Sequence, residues 1–188
     1  MSERELKRTS RKLDRLEKTI TKALAVYGDI TEHDDLVTKH LLPCGNDPIL
    51  LAIKGHLLIE HLLEVDLCRI LDVDHIPTGK DYGSLGFNQK LQLLRTVVEQ
   101  HEPKPNADLF LAIKSLNDAR NRIAHNLKSP QDVENDLNLF IREYHKQAST
   151  KPASPSPIAE ELKTCILSLC RFLHDVRIHL FRLEVGAT

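Results

Sequence analysis

Aromatic residues are scarce in this chain of 188 residues. They make up 4% of it and tryptophan is absent, although hydrophobic residues account for 41%. Leucine and isoleucine carry much of the apolar content, at intervals that suit helices rather than strands. This composition argues against a β-sandwich and predicts an all-α fold. The length fits one helical core with appended ends better than two full-sized domains.

An excess of charge of either sign is also missing. The 26 basic and 27 acidic side chains nearly cancel, which excludes the uniformly positive surface of a histone-like nucleic-acid binder. Any contact with RNA must therefore be local.

Long apolar runs and paired cysteine motifs are lacking as well. No stretch reaches membrane-spanning length, and none has the form of a signal peptide. The cysteines form no Cys-x-x-Cys motif, so they are expected to be free thiols in a reducing compartment. They are Cys44, Cys68, Cys165 and Cys170. We therefore expect a cytoplasmic protein that has no membrane partner.

The sequence pattern divides the chain into four sections. Residues 1–28 are predicted to form a basic amphipathic helix, and residues 29–147 the helical core. Residues 148–157 are rich in proline and serine and are predicted to be a linker. Residues 158–188 should form a C-terminal amphipathic helix that packs on the core or on a partner. No internal repeat and no glycine-rich phosphate-binding loop occurs in the sequence.

The first helix carries the most clearly basic region of the sequence. Its cations are a candidate surface for RNA phosphates, and the solvated face of a packing or dimerisation arm is the alternative. The residues concerned are Arg4, Lys7, Arg8, Arg11, Lys12 and Arg15.

Apolar periodicity and capping signals predict the helices of the core. Three of them cover about residues 48–71, 85–100 and 107–127. Ser129 followed by Pro130, with Asp132 three residues after the serine, is typical of a helix N-terminus. It predicts a further helix that continues through Tyr144.

Two charged residues fall where apolar residues are expected. A helical wheel places Glu60 in the middle of an apolar stripe formed by Ile49, Ile53, Leu57, Leu63, Leu67 and Leu71. The same construction places Arg120 in the stripe formed by Leu109, Ile113, Leu116, Ile123 and Leu127. Because an unpaired buried charge is costly, we expect Glu60 to pair with Arg120 across two facing helices.

His125 falls on the other, polar side of its helix, together with Asn121. Arg120 and His125 therefore converge only under one of three conditions. The helix distorts near its end, the arginine side chain reaches around it, or a second subunit supplies the partner.

Residues 116–126 read Leu-Asn-Asp-Ala-Arg-Asn-Arg-Ile-Ala-His-Asn and follow an apolar helix that carries Glu60. This arrangement resembles the HEPN superfamily, over roughly residues 48–145. The family signature is an arginine, often followed by asparagine, and then a histidine after four to six residues. The resemblance implies an up-and-down helical bundle. It also implies a metal-independent endoribonuclease that brings two such motifs together across a homodimer.

The arginine-to-histidine spacing occurs three times in this chain, starting from Arg69, Arg95 and Arg120. Only the third has the sequence Arg-Asn-x-Ile-Ala-His within an amphipathic helix. HEPN toxins controlled by an adenylating antitoxin resemble Arg-x-x-x-x-His-x-Tyr, whereas Leu127 stands at the tyrosine position here. The absence of that tyrosine argues against control by an adenylating antitoxin.

The resemblance implies roles for the residues of the motif. His125 would transfer protons near neutral pH, and Arg120 would bind phosphate through its fork of donors. Asn121 is expected to orient the His125 ring, and Glu60 to support Arg120. Arg122 is the substitute phosphate binder if Arg120 is locked in the pair with Glu60.

Two functions remain open at this point. The first is an endoribonuclease of a toxin-antitoxin, phage-defence or stress system, with RNA as substrate and an antitoxin or regulatory protein as a further partner. The second is a non-catalytic interaction module, similar to the mannitol-repressor-like HEPN members, that acts through protein partners or RNA binding. Neither requires a cofactor.

No metal site is predicted from the sequence. The His56-Leu-Leu-Ile-Glu-His61 segment is one residue too long for an inverted zinc-protease motif. Cysteines and histidines also occur on the last helix, but Cys165 faces its apolar stripe and no paired ligands are apparent elsewhere.

Overall fold

A computed structural model describes residues 39, 41–71, 73, 85–100, 109–125, 129–152 and 157–186 of the chain, with side chains up to residue 180 in the last range. Those residues contain a short 3-10 helix, Leu42–Cys44, and five α-helices, with no strand among them. The α-helices are α1 (Pro48–Ile70), α2 (Phe87–Glu99), α3 (Leu109–His125), α4 (Pro130–Gln147) and α5 (Ile158–Gly186). The predicted all-α fold is confirmed.

Side-chain caps fix where two of these helices begin. The Asp47 carboxylate accepts hydrogen bonds from the backbone N–H groups of Ile49 and Leu50, at 2.9 and 3.1 Å. The predicted cap at Ser129 is confirmed, because its hydroxyl accepts from the backbone N–H of Asp132. In both cases a proline follows the cap and leaves one fewer N–H group to satisfy.

Helix α1 lies at the centre of the bundle and packs against α2, α3 and α5. Its buried face is not the predicted stripe, since Ile49 and Leu57 are 40% and 52% exposed. The buried residues are Leu51, Ala52, Gly55, His56, Leu58, Ile59, Leu62, Leu63, Asp66 and Leu67. Because apolar residues surround much of this helix, periodicity alone did not identify its core-facing side.

Helix α5 packs on the core and comes close to α1 at Gly55. A Cβ atom at position 55 would lie 2.5 Å from Cδ1 of Ile166 and 3.0 Å from its Cγ2. The two helices approach this closely because residue 55 has no side chain. A buried ion pair joins the same helices, with Nε of Arg177 donating to Oδ1 of Asp66 at 2.6 Å.

The remaining contacts close the core around α1. Helix α4 packs along α3 and also contacts α5. Phe110 of α3 meets Phe172 of α5 edge to face, with ring centroids 5.1 Å apart. None of the helices in the described ranges combines the length and the apolar character needed to cross a membrane. The predicted basic helix over residues 1–28 lies outside the described residues.

Replacing Gly55 by alanine should destabilise the protein, although alanine is the better helix former. The new methyl group overlaps a fully buried, β-branched side chain, which costs about 1–3 kcal/mol in free energy of unfolding. Urea denaturation measures the change. Ile166→Val removes the Cδ1 atom, so adding it to Gly55→Ala should recover part of the loss. Equal stability of Gly55→Ala and the wild type would contradict this packing.

Removing the cation of the buried ion pair should cost more than removing an exposed one from the same helix. Arg177→Met leaves the Asp66 carboxylate buried and unpaired, which should lower the free energy of unfolding by about 3–5 kcal/mol. Arg171→Met is the matched control, because Arg171 is exposed on α5 and its loss should change stability by less than about 0.5 kcal/mol. Similar losses for the two variants would argue against a structural role for the pair.

Candidate functional site

Polar side chains meet where α1, α2 and α3 pack together, and the arginine of the predicted motif is one of them. We call this group the polar cluster. It consists of His56, Asn88, Asn117, Arg120 and Asn121. His56 and Asn117 are buried, Arg120 and Asn121 are half-buried, and Asn88 is exposed.

A row of side-chain amides supports the arginine. Nη1 of Arg120 donates to Oδ1 of Asn121 at 3.0 Å. Nδ2 of Asn121 donates to Oδ1 of Asn117 at 3.4 Å, and Nδ2 of Asn117 donates to Oδ1 of Asn88 at 3.5 Å. Asn117 and Asn121 are one helical turn apart on α3, so their side chains share a face. The arrangement restrains the guanidinium group of Arg120.

His56 closes the inner end of the polar cluster. Its Nε2 lies 2.9 Å from Oδ1 of Asn117, and its ring stacks on Phe87 with centroids 4.6 Å apart. Burial lowers the pKa of His56 below its usual value of 6.5, and the nearby Arg120 charge acts in the same direction. The hydrogen bond with Asn117 and the charge of Glu60 oppose that shift. The fold therefore favours the neutral form of this imidazole.

The predicted ion pair between Glu60 and Arg120 is wrong. Glu60 instead pairs with Lys90 of α2, at 3.4 Å, and Lys90 also pairs with Glu64 at 3.1 Å. Glu60 is not deeply buried, since its side chain is 31% exposed. The error follows from the misplaced stripe on α1: Glu60 lies at the edge of the buried face, where it meets α2 rather than Arg120.

Arg120 itself lies within the apolar stripe of α3, as predicted, between Leu116 and Ile123. No carboxylate of the described residues lies within ion-pair distance of its guanidinium group. Its Nε atom is buried and has no hydrogen-bond partner among the described residues. An amide does not balance the charge of a guanidinium group as a carboxylate would. The Arg120 guanidinium group is therefore suited to binding an anion such as phosphate.

Arg122 is arranged differently. Its Nε donates to Oδ1 of Asp136 at 2.7 Å, which ties α3 to α4. The sequence predicts Arg122 as a substitute phosphate binder if Arg120 is locked in a pair with Glu60. That condition is not met, because Glu60 pairs with Lys90 and Arg122 is itself held by a carboxylate.

His125 lies exposed at the last residue of α3. Its placement on the side of α3 away from the core agrees with the helical wheel. No hydrogen bond joins it to Arg120 within the described part of the chain, so one copy does not bring the two motif residues together. Asn121 was expected to orient the His125 ring, but both ends of its amide bind Arg120 and Asn117.

Sequence reasoning did not identify the inner half of the polar cluster. His56 and Asn117 are polar residues on the buried faces of α1 and α3. Correct assignment of the α1 face would have revealed His56, because a polar residue in a core needs a partner. The predicted RNA-binding residues of the first helix lie outside the described residues. They are Arg4, Lys7, Arg8, Arg11, Lys12 and Arg15.

The polar cluster should make stability depend on pH through His56. Its pKa is lowered in the folded state, so the unfolded chain binds a proton first. The contribution of neutral His56 to the free energy of unfolding is complete above pH 6.5. It is lost as the pH falls towards the pKa of His56 in the folded protein. Urea unfolding at pH 7.5 and 5.5 should show a smaller loss on acidification for His56→Gln than for the wild type.

His61→Gln is the matched control, because His61 is exposed on the same helix. Asp66 titrates in the same range with the opposite sign, since burial raises its pKa to about 6 despite the Arg177 charge. The test therefore compares the pH dependence of stability between His56→Gln and His61→Gln, both of which retain Asp66. If His56→Gln and His61→Gln follow the same pH profile, the role given to His56 is wrong.

Comparisons of this chain with models of protein families, with curated proteins and with solved structures find no match.

Proposed function

We propose that this chain is a metal-independent endoribonuclease of HEPN type that acts as a homodimer in the cytoplasm. The main support for this proposal is the environment of Arg120. It is a half-buried cation held by Asn121, and no carboxylate among the described residues neutralises it. Because a partly buried charge without a counter-ion is costly, an RNA phosphate would complete its surroundings.

The proposed chemistry needs proton transfers and stabilisation of charge at phosphorus. A base removes the proton from a ribose 2′-OH, the 2′-oxygen forms a bond to phosphorus, and the bond to the 5′-oxygen breaks. An acid then protonates the 5′-oxygen that leaves. His125 is suited to these proton transfers because imidazole titrates near neutral pH, and Arg120 would stabilise the charge on the phosphate oxygens.

A second copy of the chain accounts for the separation of these two residues. His125 is exposed at the end of α3 and makes no hydrogen bond to Arg120 of its own chain. Two α3 ends that meet across a two-fold axis would place two arginines and two histidines around one phosphate. Such a site would supply one histidine as the base and one as the acid.

A second candidate function is a non-catalytic HEPN module that binds RNA or a regulatory protein. The separation of His125 from Arg120 within one chain favours it, because a lone exposed histidine at a helix end is ordinary. The two functions differ in whether RNA is cut. A role in toxin-antitoxin, phage-defence or stress systems belongs to the first, with an antitoxin or regulatory protein as partner.

Purified protein incubated with single-stranded RNA in EDTA should cleave it, and both motif substitutions should abolish most of the activity. His125→Ala should lower the rate by on the order of 10²–10⁴-fold, because a proton-transfer group is lost. Arg120→Ala should lower it by on the order of 10²–10³-fold, because charge stabilisation is lost. Gel electrophoresis of end-labelled RNA measures both rates.

His61→Ala and Arg142→Ala are the matched controls, since both side chains are exposed on other helices. They should leave the rate unchanged, and circular dichroism should show that all four variants fold. Cleavage that survives both motif substitutions would remove the assigned site. Intact RNA at every protein concentration would favour the non-catalytic module.

A further inference from the structure

A second group of reactive side chains lies away from the motif, where α4 packs against α5. His145 of α4 faces Glu161 and Cys165 of α5, and all three residues are buried. One imidazole nitrogen, one carboxylate oxygen and the thiol sulfur lie within 4.8 Å of one another. The three donors therefore surround a single point in the core.

Local structure explains why these donors converge. Glu161 and Cys165 are four residues apart on α5, so they lie on one face of the helix. The chain turns back after α4, and Nδ1 of His145 lies 2.8 Å from Oγ1 of Thr150. That contact orients the ring so that Nε2 points at Glu161, 2.6 Å from its Oε1.

We propose that His145, Glu161 and Cys165 form a binding site for a zinc-type divalent metal ion. Nitrogen, oxygen and sulfur donors together suit zinc and cobalt rather than calcium or magnesium, which prefer oxygen ligands alone. Zinc ligands lie about 2.0–2.3 Å from the metal. His145 and Glu161 are 2.6 Å apart without metal, so the two side chains would separate to admit the ion.

The hydrogen bond with Thr150 supports a metal role for His145. Histidines that bind a metal through one nitrogen commonly donate the other N–H to an oxygen, which fixes the ring and its tautomer. With Nε2 bound to the metal, Nδ1 would donate to Oγ1 of Thr150. The structure already places those two atoms at hydrogen-bond distance.

Metal binding would require the thiolate form of Cys165. Burial, reinforced by the Glu161 charge, raises the pKa of the Cys165 thiol to about 12, so the thiol holds its proton in the absence of metal. A bound ion would link α4 to α5.

Titration with Co²⁺ or Zn²⁺ tests the site in the whole 188-residue chain. The wild type freed of metal should bind about one equivalent of Co²⁺ and develop thiolate-to-cobalt absorption in the near ultraviolet. Zn²⁺ should displace the cobalt and raise the thermal unfolding midpoint. In Cys165→Ser the absorption should disappear, and the affinity for Zn²⁺ by calorimetry should fall on the order of 100-fold.

Cys170→Ser is the matched control, because Cys170 is another buried cysteine of α5 outside the cluster. It should keep the absorption and the affinity. His145→Gln provides a second variant and should also weaken binding in a protein that still folds by circular dichroism. Binding that Cys165→Ser and His145→Gln leave intact, or no binding to the wild type, would overturn the site. Neither result depends on whether the chain cleaves RNA.

Discussion

The close contact of α1 with α5 is the constraint on which the bundle depends. Helix α1 is buried on several sides, and α5 reaches it only because Gly55 leaves room for the branched side chain of Ile166. Further along the same pair of helices, Asp66 and Arg177 form a buried ion pair. An apolar contact tolerates small slides of one helix past another, but a buried pair of opposite charges does not. The two contacts together fix the register in which α1 presents His56 to α3.

Four buried or half-buried cations of the described helices fall into two groups. Arg177, Lys90 and Arg122 each lie against a carboxylate, and each such pair joins two helices. Arg120 lies against an amide instead. The two arginines and the lysine paired with carboxylates are structural, because the neighbouring carboxylate balances each charge. The Arg120 side chain is held in place, but no carboxylate in the described part of the chain balances its charge. That difference separates a candidate binding group from a set of structural ion pairs.

The sequence predicted the helices well because their signals are local. The cap at Ser129 and the start of α1 after Asp47 each depend on a few neighbouring residues. Pairings between helices were harder. Glu60 was paired with the wrong cation because apolar residues lie all around α1, so its core-facing side was not unique in the sequence. The cluster of His145, Glu161 and Cys165 was missed for a related reason: α4 and α5 are separated by a proline-rich segment, and nothing local indicates that their faces meet.

The order of donors and acceptors in the row of amides beside Arg120 is also fixed. A guanidinium group only donates hydrogen bonds, so the Asn121 oxygen must face it and the Asn121 nitrogen must face Asn117. The Asn117 oxygen is thereby turned inward, where it accepts from His56 as well. Only a protonated Nε2 can donate there, which leaves Nδ1 of the neutral ring without a hydrogen. The fixed charge of Arg120 thus selects the tautomer of a histidine on another helix, three hydrogen bonds away.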